Sequence, residues 1–351
     1  MRIELLLEEV IKHDASDLHL QVGVPPMLRV DGALQPVADA PVLKDVDTEK
    51  LIQSMVDDEQ LKLLVKDKEL DFSFSFGEYG RFRVNAFHEK GNLAAALRLI
   101  PTKIRTLEEL GMPRVMTTFA TYPRGLVLVT GPTGSGKSTT LAAVVDQINS
   151  SDARHIITIE DPIEYAHQSK KSIVVQREIH FDTFSFGSAL RSSLREDPDV
   201  VLVGEMRDLE TISAAITLAE TGHLVLATLH TNGAAQTIDR IIDVFPPHQQ
   251  QQIKVELAGV LQAICSQRLI PKIGGGRVAA AEIFVVTSGA RNIIREGKSH
   301  QLESVIQTGG KEGMQSMDRV LIQLIHAGTI TYEEAKNYAI DLAELDRLMR
   351  A

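Results

Sequence analysis

Cysteine is almost absent from this chain of 351 residues, which contains Cys265 and no other. A single thiol excludes a disulfide framework and any zinc site built from several cysteines, so we expect a reducing compartment. Cys265 itself is expected to be a small buried hydrophobic residue. The sequence also lacks any apolar run that approaches the ~18 residues of a membrane span.

Basic residues are outnumbered by acidic ones, 37 to 47, and the formal net charge is -10. This balance disfavours nucleic acid as the main partner. The first residues, MRIELLLEEVIKHD, carry acids where a signal peptide needs a basic stretch and then an apolar run. From these absences we expect a soluble, cytoplasmic protein.

What the sequence does contain is the stretch LVLVTGPTGSGKSTTL at residues 126–141. A short apolar run predicts a buried strand, the turn after it satisfies the pattern G-x-x-x-x-G-K-[ST], and a helix-like segment follows. Such a loop turns backbone N–H groups towards phosphate oxygens, and the helix N-terminus adds partial positive charge. Nucleotide binding is therefore predicted, with an ordinary glycine turn as the alternative.

Each residue of this loop has an expected task. Lys137 is expected to reach the β- and γ-phosphates of the nucleotide, and the Ser138 hydroxyl is expected to hold Mg2+. The residues predicted to contact the nucleotide here are Gly131, Pro132, Thr133, Gly134, Ser135, Gly136, Lys137, Ser138 and Thr139.

Residues 1–100 are predicted to form a small α+β domain. An amphipathic helix opens the chain, residues from about Asp47 to Lys66 have a helical pattern, and residues 71–76 alternate as in a half-buried strand. Asp31-Gly32 is typical of a hairpin turn. Further strands are expected at residues 27–30, 81–85 and 94–100.

A linker is predicted at residues 101–112, where Thr106 and Glu109 form a capping box that would start a short helix. A second domain over residues 113–351 then alternates strands and helices, which favours an α/β layer fold with a largely parallel sheet. The last ninety residues are predicted to be helical, with a helical subregion at about 289–351. Thr331 with Glu334 is expected to cap the final helix.

Acidic residues follow two of the predicted strands of this second domain. Glu160 and Glu164, with an aspartate between them, surround a proline, and one of these three carboxylates could orient water or support a metal; a solvated turn is the alternative. Glu205 follows the apolar run at residues 200–203, at a place suited to an acid near the metal. Gly204 replaces the aspartate that usually precedes it.

Two histidines, His223 and His230, flank the predicted strand at residues 224–228. Because they are seven residues apart they do not share a face of one strand, so a shared metal ion is not expected. Hydrogen bonding near the γ-phosphate or across a subunit boundary is the preferred interpretation, and a structural histidine is the alternative.

Four of these segments together resemble the sequence boxes of the secretion-superfamily ATPases, which are hexameric RecA-like motors of type II secretion and type IV pili. They are GPTGSGKSTT, RHIITIEDPIEY, LREDPDVVLVGEMRD and TGHLVLATLHT. Residues 289–296, GARNIIRE, are similar to the AIRNLIRE motif of the PilT branch, the pilus retraction motors, with Gly289-Ala290 in place of Ala-Ile. The assembly and secretion branches usually carry a tetracysteine zinc insert, which this chain cannot form.

The resemblance implies a PAS-like N-terminal domain before a RecA-like P-loop domain, and it assigns roles to residues. Glu164 would be the catalytic glutamate that polarises water, and Glu205 the acid near magnesium. Arg83 and Arg98 match arginines that the N-terminal domain supplies to the triphosphate, with Arg81 nearby. Arg240 would be a sensor of the nucleotide.

The activity implied is ATP hydrolysis by a homohexamer that powers pilus retraction and twitching motility. The expected partners are a PilC-type platform protein of the inner membrane and, as a further candidate, a second retraction ATPase. The motor would be peripheral to the inner face of the cytoplasmic membrane, without a transmembrane segment. A PilU-like accessory ATPase, a nucleic-acid translocase and a slow ATP-dependent regulator are the alternatives.

Arg291 and Arg295 lie four residues apart, so on a helix they share one face. The resemblance favours a coupling surface that is needed for retraction but not for ATP hydrolysis. A solvated basic helix end, stabilised by the helix dipole, is the alternative.

Overall fold

The computed structural model describes residues 1–30, 32–77, 80–100 and 103–350, and the chain divides into two units. The first unit is Met1–Lys103 together with Glu164–Ala166, and the second is Ile104–Ile163 together with the chain from His167 onward. Asp31 of the expected hairpin turn and the first two linker residues, Pro101 and Thr102, lie outside the described residues.

The first unit is built on an antiparallel sheet with the strand order β3-β2-β1-β6-β5-β4. Helices pack with the sheet around an apolar core that includes Leu7, Leu18, Leu51, Phe72 and Phe82. The strands are β1 (Asp17–Leu20), β2 (Met27–Val30), β3 (Ala33–Pro36), β4 (Glu69–Phe76), β5 (Gly80–Glu89) and β6 (Asn92–Ile100). The helices are α1 (Ile3–Lys12), α2 (Asp45–Gln53) and α3 (Asp58–Asp67).

The helical pattern predicted from Asp47 to Lys66 is divided into α2 and α3. The break occurs at Asp57, whose side chain accepts hydrogen bonds from the backbone N–H groups of Glu59 at 3.0 Å and Gln60 at 2.8 Å. A capping side chain of this kind starts a new helix, because it satisfies donors that would otherwise lack partners.

The second unit contains a sheet with the strand order β13-β12-β7-β11-β10-β8-β9. All neighbouring pairs are parallel except β12 with β13, which is antiparallel. The strands are β7 (Gly125–Thr130), β8 (His155–Glu160), β9 (Ile173–Glu178), β10 (Val200–Val203), β11 (Leu224–Leu229), β12 (Leu261–Pro271) and β13 (Arg277–Val285).

Ten α-helices accompany this sheet among the residues that the structure describes. They are α4 (Lys137–Ser151), α5 (Phe186–Ser193), α6 (Leu209–Glu220), α7 (Ala234–Asp243), α8 (Pro247–Val260), α9 (Ser288–Glu296), α10 (Leu302–Thr308), α11 (Met317–His326), α12 (Tyr332–Lys336) and α13 (Leu342–Arg350). Short 3-10 helices occupy Arg114–Thr121, Ser299–Gln301 and Gly310–Glu312.

Strand β7 is buried along its whole length because helices cover both faces of the sheet. Leu126 and Leu128 face one apolar core, and Val127 and Val129 face another. A strand buried on both sides has a continuous apolar sequence, which is why the run before the phosphate loop is uninterrupted. The loop therefore starts from a rigid element.

The prediction that the last ninety residues are helical is wrong for its first part. Strands β12 and β13 form a hairpin there, and β12 pairs in parallel with β7, with Cys265 opposite Val129. The glycines at residues 274–276, which lie between two apolar runs, are the local signal for this hairpin. Long-range pairing with β7 decides the outcome.

Two smaller expectations also need correction. The capping-box bonds of Thr106 and Glu109 are present at 2.7 and 3.2 Å, yet they close a single turn rather than a helix. Residues 104–112 of the expected linker belong to the second unit, where Leu107 and Met112 are buried in its core. Thr331 caps α12, accepting from Glu334 N at 3.1 Å, and α12 is followed by a further helix.

Candidate nucleotide-binding and catalytic site

The phosphate loop connects β7 to α4, and two of its glycines are required by close packing. Gly131 has φ 146°, and a Cβ atom there would lie 2.3 Å from the Gln267 carbonyl oxygen. Gly136 has φ 89°, and a Cβ atom there would lie 2.8 Å from Gln267 Nε2. Both positions combine a left-handed backbone with no room for a side chain, so glycine is needed for the loop to close.

Two buried polar groups of this loop fit a phosphate ligand. Lys137 is 9% exposed, and its Nζ donates to the carbonyl oxygens of Gly131 at 2.9 Å and Pro132 at 3.1 Å. Ser135 is 3% exposed and its hydroxyl has no hydrogen-bond partner in the structure. A buried hydroxyl without a partner is costly, and a phosphate oxygen would accept from it.

Ser138 is half-buried in the first turn of α4, where its hydroxyl was expected to hold Mg2+. Among the described residues, no group of three or more His, Cys, Asp or Glu side chains could hold a metal ion. Magnesium does not need such a cage, because it keeps several waters and is usually bound by one or two protein groups together with phosphates. Ser138 and Glu205 are chemically suited to that kind of site.

Gln267 on β12 is a functional candidate that the sequence analysis missed. It is 3% exposed, and its Oε1 accepts from Thr140 Oγ1 on α4 at 2.7 Å. Its backbone and side chain also lie against the two glycines described above. The residue was missed because this segment was expected to be helical, and only the pairing of β12 with β7 brings it under the loop.

The register of the parallel strands places the phosphate loop and several predicted site residues at one edge of the sheet. Thr130, just before the loop, lies opposite Leu229, and Val203 lies opposite both Ala227 and Ile159. The carboxyl ends of these strands therefore meet. Glu160, Glu205 and His230 stand at the ends of β8, β10 and β11 respectively, as the sequence analysis expected.

Glu205 is held by two side chains at this edge. Its Oε1 accepts from Arg207 Nε at 2.5 Å and lies 3.1 Å from His230 Nε2. Partial burial alone would raise the pKa of Glu205, but the hydrogen bond from Arg207 and the charge of His230 outweigh it and lower this pKa. Glu205 is thus an anion ready to support a metal. Arg207 is not among the residues predicted from the sequence.

His223 lies at the opposite edge of the sheet, at the start of β11. Its Nδ1 is 2.9 Å from the Leu218 carbonyl oxygen and 3.1 Å from Thr221 Oγ1. Because β11 separates the two histidines, His223 does not lie beside the phosphate loop of its own chain. A role across a subunit boundary stays a prediction.

The acidic segment after β8 begins with Glu160, whose Oε1 accepts from Thr158 Oγ1 at 2.6 Å and Gln176 Nε2 at 3.3 Å. The Asp161–Pro162 peptide bond is cis. Glu164 is exposed and is grouped with the first unit. Glu160 is thus anchored to its own sheet, whereas Glu164 presents its carboxylate to solvent, which suits the predicted role of polarising water.

Arg83 and Arg98 of the first unit are direct cross-strand neighbours on β5 and β6. Arg98 Nε donates to Asp17 Oδ1 at 2.8 Å, and Arg83 Nε lies 3.9 Å from Asp71 Oδ1. Arg81 lies two residues before Arg83 on β5, opposite Ile100. The two arginines that the resemblance paired are thus adjacent in the sheet, and their role towards ATP stays a prediction.

The remaining predicted cations lie on helices. Arg240 is exposed on α7. Arg291 on α9 donates to the carbonyl oxygens of Ala258 at 2.5 Å and Gly259 at 3.0 Å, so it caps the end of α8. Arg295 is exposed and bonds Asn292 Oδ1 at 2.5 Å. Arg291 is therefore half-buried against the end of α8 while Arg295 is exposed, and the role of this face of α9 as a coupling surface stays a prediction.

Cys265 is fully buried, as expected, and burial raises the pKa of its thiol. A buried thiol of this kind is inert. Within the described ranges, no helix has the length and apolar character needed to cross a membrane.

The model of the family described as "Type II/IV secretion system protein" matches residues 1–275. The chain belongs to this family. It is 53% identical over 339 residues to the type IV pilus retraction ATPase PilT of Pseudomonas aeruginosa, covering 97% of this chain and 98% of that protein. It is also 42% identical over 350 residues to the type IV pilus ATPase PilU of the same organism, covering 99% and 91% respectively.

A solved structure, the pilus retraction motor PilT with bound ADP, matches with a TM-score of 0.93 and 49% identity over 99% of both chains. The fold prediction is thereby confirmed: a RecA-like α/β domain follows a small α+β domain. The predicted membership of the secretion ATPase superfamily is confirmed as well.

Proposed function

We propose that this chain is an ATP-hydrolysing motor that powers the retraction of type IV pili and thereby twitching motility. The observation that carries the proposal is the match over 97% of the chain to a named retraction ATPase, combined with a phosphate loop whose glycines, lysine and buried serine suit a nucleotide. Nucleotide binding is further supported by the ADP in the matching structure.

ATP is the substrate, and this chain's residues hold it from several directions. The N–H groups of the loop and Lys137 bind the phosphates, and Ser135 donates its unpaired hydroxyl. Ser138 and Glu205 would hold Mg2+, which supplies positive charge that offsets the charge of the phosphates. His230 and Arg207 keep the Glu205 carboxylate ionised and in place.

Hydrolysis requires a polarised water and cations near the transferring phosphoryl group. Glu164 takes the first role, because a carboxylate can accept a proton from water as it attacks. Arg83 and Arg98 take the second, because a guanidinium neutralises charge that develops on the phosphoryl oxygens. Arg240 senses the nucleotide, and Arg81 and Glu160 support these groups.

Hydrolysis becomes movement when contacts to the γ-phosphate are made and then lost. We infer that these contacts control motion between the two units, as ordered switches do in other nucleotide-driven motors. The working form is a homohexamer at the inner face of the cytoplasmic membrane, where it drives a PilC-type platform protein, with a second retraction ATPase as a further partner. His223 would act at the boundary between subunits.

The proposal is tested with Lys137→Ala. Lys137 is the side-chain cation of the phosphate loop, so its loss should abolish magnesium-dependent ATP turnover by the purified protein and pilus retraction in a strain that lacks its own motor. Lys311→Ala, which removes an exposed lysine, serves as the control. Wild-type turnover by Lys137→Ala would overturn the assignment of the nucleotide site.

A PilU-like accessory role is the second candidate, favoured by the 42% identity to that ATPase. The two roles differ in what the chain can do alone. A motor of the PilT kind should restore retraction in a strain that lacks both retraction ATPases, whereas an accessory ATPase should restore it only when the other one is present.

A further inference from the structure

Four charged side chains form one row across the sheet of the first unit. Arg29 on β2 lies directly opposite Asp17 on β1, Asp17 opposite Arg98 on β6, and Arg98 opposite Arg83 on β5. Residues directly opposite each other in an antiparallel sheet project from the same face. One carboxylate therefore lies among three arginines, and two of these arginines are the ones assigned to ATP.

Asp17 is the buried member of this row. It is 7% exposed, its Oδ1 accepts from Arg98 Nε at 2.8 Å, and its Oδ2 accepts from Ser16 Oγ at 2.8 Å. Burial alone would raise the pKa of Asp17, but the hydrogen bonds from Ser16 and Arg98 and the charge of Arg98 lower this pKa below its usual range. Asp17 is thus an anion fixed in one place.

Arg98 is bound through Nε, the guanidinium nitrogen nearest its own backbone. The side chain is 71% exposed although its inner nitrogen is fixed. Because the guanidinium is planar, a bond at Nε sets the plane and direction of the two terminal nitrogens, which extend beyond the contact. This is how a long, exposed arginine can be oriented without occupying the nitrogens that would contact a phosphate.

Arg83, the neighbour of Arg98 on β5, has no buried carboxylate among the described residues to orient it. Asp71 lies diagonally across from Arg83, since Asn85 is its direct neighbour and donates to its Oδ1 at 3.2 Å. Arg83 Nε and Asp71 Oδ1 are 3.9 Å apart, and the Asp71 side chain is 59% exposed. An exposed pair at this distance orients an arginine weakly, because solvent screens the attraction and both side chains retain rotamer freedom. Asp71 with Arg83 is therefore a weaker, diagonal pair in the same sheet with which the direct pair of Asp17 and Arg98 can be compared.

We propose that Asp17 is a positioning residue for ATP hydrolysis, which orients the Arg98 guanidinium through Nε before the phosphoryl group is transferred. The inference rests on the proposed function, since it assumes that Arg98 acts on the triphosphate. An arginine that is already oriented stabilises the developing charge without reorganisation at the moment of reaction, so its effect should appear in kcat rather than in nucleotide affinity.

The test is a double-mutant cycle on the full chain with Asp17→Ala, Arg98→Ala and the double variant, measured as kcat, KM and nucleotide affinity. Asp17→Ala should lower kcat by roughly 10- to 100-fold with KM nearly unchanged. The double variant should be no slower than Arg98→Ala alone, since Asp17 acts through Arg98. Asp17→Asn keeps an oxygen acceptor for Arg98 and should recover part of the lost rate, while Asp71→Ala should remain close to wild type.

Several results would overturn the inference. Losses that multiply in the double variant, or an equal loss in Asp71→Ala, would show that Asp17 only stabilises the unit. If Asp17→Ala proves unstable, Asp17→Leu, which also lacks an acceptor oxygen, replaces it in the cycle, and unchanged kcat in that variant counts against the proposal. Wild-type kcat in Arg98→Ala would show that Arg98 has no role in hydrolysis, which contradicts the proposed function. A low kcat in Arg98→Ala with a wild-type kcat in Asp17→Ala would leave the role of Arg98 intact and contradict only the role of Asp17.

Discussion

Glu282 on β13 is a buried carboxyl group at the start of a helix. It is 6% exposed, and its Oε1 accepts from the backbone N–H of Ala234, the first residue of α7. Burial raises the pKa of Glu282 to about 7, and the nearby acids Glu303 and Asp318 add to the effect. This group therefore changes its protonation near neutral pH although it is inside the second unit.

The raised pKa predicts how stability depends on pH. The folded chain retains a proton on Glu282 that the unfolded chain, with an ordinary pKa of 4.5, has released. The resulting stability is fully present below about pH 4.5 and is lost as pH rises through about 7. The free energy of unfolding should fall by about 3 kcal/mol between pH 4.5 and about pH 7. A shift of one pKa unit, a tenfold change in proton affinity, corresponds to about 1.4 kcal/mol.

Glu282→Gln is neutral at every pH, so its thermal unfolding midpoint should fall less than that of the wild type between pH 5 and pH 8. Glu312→Gln, which changes an exposed glutamate in the same unit, is the control and should retain the wild-type slope. An unchanged slope in Glu282→Gln would contradict the assignment.

Glu164 is the residue on which the chemical step of the proposed mechanism depends. Glu164→Gln should bind ATP normally and lower kcat by about 100-fold or more, because an amide keeps the shape of the side chain but cannot take a proton from water. Nucleotide titration and steady-state turnover check this. A loss of binding together with turnover would instead indicate a structural or metal-supporting role, and Glu160→Gln would then be the next variant to measure.

Helix α9 has two arginines with different tasks, although the sequence places them on one face. Arg291 donates to the last carbonyl groups of α8 and to Gln262 Oε1 at 3.1 Å, whereas Arg295 is exposed. Arg291→Ala leaves those acceptors without their partner and should destabilise the folded chain by about 1–3 kcal/mol. Arg295→Ala should change stability by less than about 0.5 kcal/mol.

These two variants also separate a role in coupling ATP hydrolysis to retraction from a role in folding. If α9 is a coupling surface, Arg295→Ala should keep ATP turnover and the melting temperature but lose pilus retraction in cells. Normal retraction by Arg295→Ala would indicate that Arg295 only belongs to a solvated helix end. A stable Arg291→Ala variant would contradict the role of Arg291 as a cap of α8.

The charge of the whole molecule bears on the alternative of a nucleic-acid translocase. With a formal net charge of -10, the chain should repel the phosphate backbone at low salt, where such interactions are strongest. Single- or double-stranded DNA should therefore leave ATP turnover unchanged at low ionic strength. Stimulation by DNA that disappears on adding salt would favour the translocase instead.

The sequence by itself determined the features that lie within one contiguous stretch. The phosphate loop is the clearest case: strand, glycine turn and helix follow one another, and the positive φ angles of Gly131 and Gly136 are a local requirement. The alternation of strands and helices then placed Glu160, Glu205 and His230 at one edge, because parallel strands present their carboxyl ends together. The similarity to the family rests on the same contiguous boxes.

Only the tertiary structure decided what depends on contacts between distant segments. Gln267 supports the loop because β12 pairs with β7, a strand far earlier in the chain, and no local pattern encodes that pairing. His223 lies at the end of β11 that is far from the loop, and Arg291 packs against the end of α8. Asp17 becomes a partner of Arg98 only when β1 and β6 pair in their observed register. Residue types can be recognised from the chain alone, but which of them meet is decided by strand pairing and packing.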